Sequence, residues 1–228
     1  MLASMDEKEF GERGIPYLNI ASTRSATKAL GPGIRAAIWV QGCPRRCKGC
    51  ISPDWIPDIP ALQITPEELA DKLLGDPAIQ GFSISGGEPM MQAAGLARLV
   101  HYARTKRKMD VICFTGFLYE KLADYPDGSG IHAFLDEIDV LIDGPYVEKL
   151  NDNLGLRGSS NQRIHHLTNR LKDHDLEHAP RKVELIIQDG RVISIGVPPR
   201  EIPELLQAAF LSGQSLNHKN FNHDRERR

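Results

Sequence analysis

The chain has 228 residues, with 28 Lys and Arg against 30 Asp and Glu for a net charge of −2, and only four cysteines. That length suits one domain with a sizeable core, and the near-balanced charge gives no argument for a nucleic-acid partner. No apolar run reaches the roughly 18 residues of a membrane span, the N-terminus lacks the positive-then-apolar order of a secretion signal, and four cysteines do not make a disulfide scaffold, so a reducing cytoplasm is expected.

Taken in chain order, the first clear element is the apolar run Ile34–Val40, which reads as a buried strand. Three of the four cysteines follow within eight residues, as Cys43-Pro44-Arg45-Arg46-Cys47-Lys48-Gly49-Cys50. Thiolates are the standard ligands of iron–sulfur clusters, and a [4Fe–4S] cube takes four. Three in one loop leave one iron open to another ligand, which points to chemistry rather than to electron storage alone. Gly42, Pro44 and Gly49 permit a tight wrap, and Arg45, Arg46 and Lys48 offset the cluster's negative charge. A structural zinc site would need a fourth ligand from Cys113 or a distant His such as His101, and no second Cys pair is present.

After the Pro-rich connection Pro53–Pro60, Thr65-Pro66-Glu67-Glu68 reads as a helix start, with Thr65 as N-cap, Pro66 at the first position and Glu68 closing a capping box. Gly75 ends that helix. A strand over Gly81–Ser85 leads into Gly86-Gly87-Glu88-Pro89, two glycines that expose backbone groups beside one carboxylate. Such a turn could hold an ammonium group, although alone it also reads as an ordinary turn into a helix. A helix near Met90–Lys106 follows, then a strand Val111–Thr115, a short helix from Phe117 and a strand Ile138–Asp143. Strands alternating with helices imply βαβ units and a parallel sheet, with ligands gathered beyond the carboxyl ends of the strands. The cysteine loop, Gly86–Pro89, Thr115 and Asp143 all fall there. Late in the chain, Val183–Gln188 and Val192–Val197 flank Asp189-Gly190 as a β-hairpin.

C-x3-C-x2-C followed by G-G-E-P resembles the radical S-adenosylmethionine superfamily. That resemblance implies an open partial (β/α) barrel and a [4Fe–4S] cluster held by Cys43, Cys47 and Cys50. It also implies S-adenosylmethionine on the open iron, its amino group at Gly86, Gly87 and Glu88. Many members carry an aromatic before the third cysteine; here Gly49 stands there, so Gly49 and Ile51 would flank adenine by backbone contact. Leu30–Arg35, Phe114-Thr115-Gly116-Phe117, Asp143-Gly144-Pro145-Tyr146 and above all Arg157-Gly158-Ser159-Ser160-Asn161-Gln162-Arg163 narrow it further. The series looks like the activating proteins of anaerobic ribonucleotide reductase, with relatives serving pyruvate formate-lyase. On that resemblance the chain installs a glycyl radical on a large partner and draws electrons from a donor such as flavodoxin or ferredoxin. Thr115, Asp143 and Ser159 would then be cofactor neighbours. A radical enzyme acting on a small molecule or peptide, its pocket shaped by the hairpin, and an Fe–S carrier or zinc-binding module stay as alternatives.

The expected layout is a single domain over residues 1–212, its core at about 15–200, with a polar, disordered tail at 213–228. Cys113, within an apolar strand, reads as a buried structural thiol. His165 and His166 point to opposite faces if they lie on a strand, which suits a structural or partner-contact role better than a metal pair. The basic run Arg104–Lys108 reads as a helix end set against its own dipole.

Overall fold

The structure, a computed structural model, describes residues 17–188 and 191–200. The tail 213–228 and the Asp189-Gly190 turn lie outside the described residues. The fold is α/β, with a seven-stranded, mostly parallel sheet and a separate antiparallel hairpin. Its elements are β1 (Leu18–Thr27), β2 (Arg35–Val40), β3 (Leu62–Ile64), α1 (Pro66–Leu74), β4 (Gly81–Gly86), α2 (Ala93–Lys106), β5 (Asp110–Phe114), α3 (Tyr119–Ala123), α4 (Ile131–Asp136), β6 (Val140–Asp143), β7 (Arg163–His166), β8 (Val183–Gln188) and β9 (Arg191–Gly196). The order across the sheet is β3-β1-β2-β4-β5-β6-β7. β2, β4, β5 and β6 run parallel in the middle; β1, β3 and β7 join antiparallel at the flanks.

Local sequence accounts for the first helix. Thr65 Oγ1 accepts from the Glu68 N–H at 3.3 Å while Glu68 Oε2 accepts from the Thr65 N–H at 3.2 Å, the expected capping box, with Pro66 at the first helical position. The expected helix from Met90 begins instead as a 3-10 turn, Pro89–Gln92, before α2. Arg104 closes α2 by pairing with Glu137 and Asp139 at 2.6 and 2.7 Å.

Strand alternation then builds two layers. Ala36, Ile38, Val40, Phe82, Ile84, Val111, Cys113 and Leu141 face α1, α2 and α4, burying Leu69, Leu73, Leu96, Leu99 and Phe134 between them. Removing a side chain such as Leu96 from this layer would cost about 2–5 kcal/mol. The opposite face carries Ala37, Trp39, Ile112, Phe114, Val140 and Ile142, and the C-terminal segment covers it with Leu171, Leu176, Ile186 and Ile195. Parallel register decides where the loops meet. Val40 lies beside Gly86 and Phe114 beside Ile142, so the connections after β2, β4, β5 and β6 leave from one edge of the sheet. Among the described residues, no helix is long and apolar enough to cross a membrane.

Candidate active site

The cysteine loop and the Gly86-Gly87-Glu88 turn are joined backbone to backbone. Gly87 N–H donates to Val40 O at 2.7 Å, and Glu88 N–H to Gly42 O at 2.8 Å. The approach is too close for a side chain: a Cβ on Gly86 would sit 2.3 Å from Val40 N, and one on Gly87 2.1 Å from Gly42 O. The two glycines therefore dock one loop against the other. On the far side of the cysteine loop, Gly42 and Cys43 N–H donate to Trp55 and Ile56 carbonyls at 2.9 and 3.0 Å. Gln41 Nε2 reaches Pro57 O at 2.7 Å, which fixes the Pro-rich connection.

All four cysteines are free thiols; Cys43, Cys47 and Cys50 are half-buried in the one loop, whereas Cys113 is fully buried in β5. Burial pushes the Cys43 thiol above its ordinary value, and the negative charges of Glu88, Cys47 and Cys50 add to that push against one backbone hydrogen bond. Three half-buried thiols in one loop, none bonded to another, are a donor set suited to a cluster whose irons each take one thiolate, so these residues fit a cluster. Cys113 is raised well above its usual value by burial first and by Glu88 second, as expected of a structural thiol.

Glu88 is 1% exposed. Its Oε1 accepts from Thr115 Oγ1 at 2.7 Å and from Met90 N–H at 3.1 Å, and its Oε2 accepts from Gly116 N–H at 2.8 Å. Burial pushes the carboxyl up; the three hydrogen bonds and the Arg45 charge pull back without cancelling it. Thr115, itself buried, thus joins the end of β5 to the turn after β4. Arg45 lies over the Phe117 ring, 5.2 Å from its centroid. Pro44, Arg45, Arg46, Cys47, Phe117 and Pro145 line an open cleft of about 510 Å³ beside the thiols.

The other expected residues are not among those that line this cleft. Gly49 has φ +73° and lies against the Glu148 carboxylate, while Ile51 is 60% exposed. Ser159 is fully buried; its Oγ accepts from Val147 N–H at 3.1 Å. Gln162 organises the same segment, its Oε1 accepting from Gly158 and Ser159 N–H at 2.8 and 3.2 Å and its Nε2 donating to Gly144 O at 2.9 Å. Asn161 Nδ2 adds a bond to Pro145 O at 2.8 Å. The Arg157–Arg163 segment therefore shapes the 144–147 stretch that borders the cleft.

Asp143 is buried at the end of β6, where Tyr119 N–H donates to Oδ2 at 2.7 Å and Arg163 bonds both oxygens. His165 Nε2 lies 3.3 Å from the same carboxylate. Burial pushes Asp143 up, but Arg163, the Tyr119 N–H and His165 outweigh it and hold the carboxyl below its ordinary value. Arg163 also grips Glu120 through two bonds of 2.6 and 2.7 Å, holding it at about 2. Sequence reading missed this Asp143–Arg163–Glu120 cluster, because its members lie on β6, β7 and α3. Depressed carboxylates add stability above their unfolded values and lose it as pH falls through the folded ones. Arg163→Met should therefore destabilise the protein at neutral pH, by less than the loss of a fully buried pair because Arg163 is half-exposed. The gap from wild type should stay constant above pH about 4.5 and close toward pH about 2 in urea titrations; a gap independent of pH would assign Arg163 to packing alone.

The family model of the 4Fe-4S single cluster domain matches residues 29–165, a span that holds both loops, Asp143 and Ser159. The class is thus a single-cluster iron–sulfur protein of the radical S-adenosylmethionine type. An anaerobic ribonucleoside-triphosphate reductase-activating protein of Vibrio cholerae is 34% identical over 148 residues, covering 60% of this chain and 91% of that protein. The protein of the same name from Enterobacteria phage T4 is 30% identical over 151 residues, covering 64% and 92%. A pyruvate formate-lyase-activating enzyme of Staphylococcus aureus is 33% identical over 87 residues, covering 36% and 35%. The chain belongs to the family of anaerobic ribonucleoside-triphosphate reductase-activating proteins.

Proposed function

We propose that the chain is a glycyl radical activase, an enzyme that removes a hydrogen atom from a glycine of a large partner related to anaerobic ribonucleotide reductase. The observation that carries this reading is the docking of the three-thiol loop onto Gly86-Gly87-Glu88 at the ligand edge of a parallel sheet. Cys43, Cys47 and Cys50 would hold a [4Fe–4S] cluster, and Gly86, Gly87 and Glu88 would face the amino group of S-adenosylmethionine. When bound, this pair of cofactors supplies reductive cleavage to a 5'-deoxyadenosyl radical, the hydrogen-abstracting species. The chain's own residues orient and shield. Gly49 and Ile51 present backbone to the adenine side. Thr115 aligns Glu88, and Ser159 and Asp143 set the walls through Val147 and Arg163.

In this reading the sheet curls into an open partial barrel, and the partner's glycine-bearing loop enters the cleft beside Cys47, Phe117 and Pro145. Abstraction needs that glycine's Cα within a few ångströms of the reactive carbon. Arg45, Arg46 and Lys48 offer a cationic rim to an acidic one-electron donor such as flavodoxin or ferredoxin. The setting proposed is the cytoplasm. The test is electron paramagnetic resonance on the candidate partner after anaerobic incubation with this protein, reductant and S-adenosylmethionine. A glycyl doublet is expected. Its absence, together with steady 5'-deoxyadenosine production on a small molecule or peptide, would transfer the reading to a radical enzyme of that kind, with the hairpin as part of its pocket.

A further inference from the structure

The family model ends at residue 165, yet the chain continues through a further stretch that is built into the site. Residues 176–181 run alongside 154–158. Gly155 N–H donates to Ala179 O at 3.0 Å, Leu156 N–H donates to Leu176 O at 2.8 Å, and Leu154 bridges Pro180. At the end of this pairing the Arg181 side chain is almost wholly buried, 2% exposed. Its guanidinium donates to Arg157 O at 2.6 Å, to Asn151 Oδ1 at 2.8 Å and to Pro198 O at 3.1 Å. Gly155 O and Gly158 O, both at 3.3 Å, and Leu154 O at 3.4 Å also accept, and Asp152 Oδ1 lies 3.8 Å away. A guanidinium has five donors in a rigid fork; here Nε and Nη2 serve carbonyls of the 154–158 loop, while Nη1 serves Asn151 Oδ1 and Pro198 O.

That loop leads step by step to the thiols. Arg157 O and Gly158 O belong to the segment whose Ser159 receives the Val147 N–H, and the residue after Val147 is Glu148, whose carboxylate lies against Gly49 between Cys47 and Cys50. A second cation from the same C-terminal stretch acts on this point: Arg200 donates to Glu148 O at 2.7 Å, and its own N–H to Asn153 Oδ1 at 3.0 Å.

We infer that Arg181 is a positioning residue for the cysteine-loop site, holding the 151–159 loop so that Glu148 supports Gly49 where the cofactor's adenine side would lie. The inference rests on the proposed function for what the site binds, but not for the coupling itself. Arg181 supplies fixed donors, whereas Lys at that position would satisfy at most three of the carbonyls from a point charge.

The test compares full-length, cluster-reconstituted wild type with Arg181→Ala, Arg181→Lys and Ile186→Ala, the last loosening the packing of the same C-terminal stretch on the sheet without touching the loop. Hydrogen exchange is read over 144–160, over the cysteine loop and over β4 and β5, with S-adenosylmethionine affinity in parallel. Arg181→Ala should speed exchange of the Val147, Gly158 and Ser159 amides about 10- to 100-fold and that of the Cys50 amide by a smaller factor. Affinity should fall about tenfold at unchanged iron and sulfide content, β4 and β5 should stay protected, and Arg181→Lys should recover part of the loss. The inference is overturned if exchange at 144–160 and Cys50 does not change, if it rises equally throughout β4 and β5, or if Ile186→Ala does the same. Should wild type not bind S-adenosylmethionine at all, the proposed function fails, and the exchange pattern at Cys50 still decides the role of Arg181.

Discussion

Replacing Cys43, Cys47 or Cys50 singly by Ala is expected to abolish the iron–sulfur cluster on anaerobic reconstitution, while Cys113→Ala leaves iron and sulfide content intact. The contrast follows from placement. Three thiols share one half-exposed loop whose backbone is fastened on both sides, to the Pro-rich connection by Gly42 and Cys43 and to the glycine turn through the carbonyl of Gly42. Losing one thiolate leaves two ligands for a cube that already lacks a fourth from this loop. Cys113 packs in the helix-facing layer with Ile84 and Leu141, and its cost on truncation should appear as stability, about 1 kcal/mol, rather than as lost metal. Counting iron and acid-labile sulfide per chain in the four variants checks this. Full loss only in Cys113→Ala, or stoichiometric zinc in anaerobically purified wild type, would remove the cluster from the account.

Much of this arrangement could be read directly from sequence, for local reasons. Ile34–Val40, Gly81–Ile84 and Val111–Phe114 are apolar runs bounded by turn residues, and α1 announces itself through Thr65, Pro66 and Glu68. What could not be read depends on partners. β1 shows buried Leu18 and Ile20 but then turns polar, and its pairing with β2 shifts register twice, so its ten residues carry no clean alternation. β3 is three residues long and β7 reads Arg-Ile-His-His; both exist because a neighbouring strand offers an edge. α4 has Gly130 as its N-cap, with no side-chain cap, and is held by packing of Ile131 and Phe134.

The site divides along the same line. Cys43–Cys50 and Gly86–Glu88 are contiguous motifs, legible because spacing along the chain carries the chemistry. Their supports are not contiguous. Thr115 and Gly116 reach Glu88 across 27 and 28 residues, Arg163 reaches Asp143 across 20, and Arg181 reaches Arg157 across 24. Asp143 and Thr115 were visible as residues at strand ends, but the hydrogen bonds that occupy them were not. The sequence showed where ligands would gather and left open which side chains hold the walls.

Changing Glu88 to Gln should weaken S-adenosylmethionine binding by about ten- to a hundredfold and, separately, cost the protein about 1–3 kcal/mol of stability. An ionised carboxylate has about four lone-pair sites. Thr115 Oγ1, Met90 N–H and Gly116 N–H fill three of them, which leaves one for an ammonium group arriving from the cleft. Gln keeps the shape but replaces one oxygen with an NH2 group. If its remaining oxygen faces Gly116, its NH2 faces the Met90 N–H, a donor against a donor in a place 1% exposed. Thr115 can turn its hydroxyl to accept, so the damage centres on one unmade bond. That accounts for the stability loss. The affinity loss has a different origin, the missing negative charge opposite a cation, worth about 1.5–3 kcal/mol for a charge-assisted bond. The two effects separate by measurement. Urea denaturation of the anaerobic holoprotein reads the first, and calorimetry of S-adenosylmethionine binding to the same preparation reads the second. Reduced stability with wild-type affinity would make Glu88 solely the peg that joins the β4 turn to β5, and the ammonium contact would then have to come from the backbone of Gly86 and Gly87.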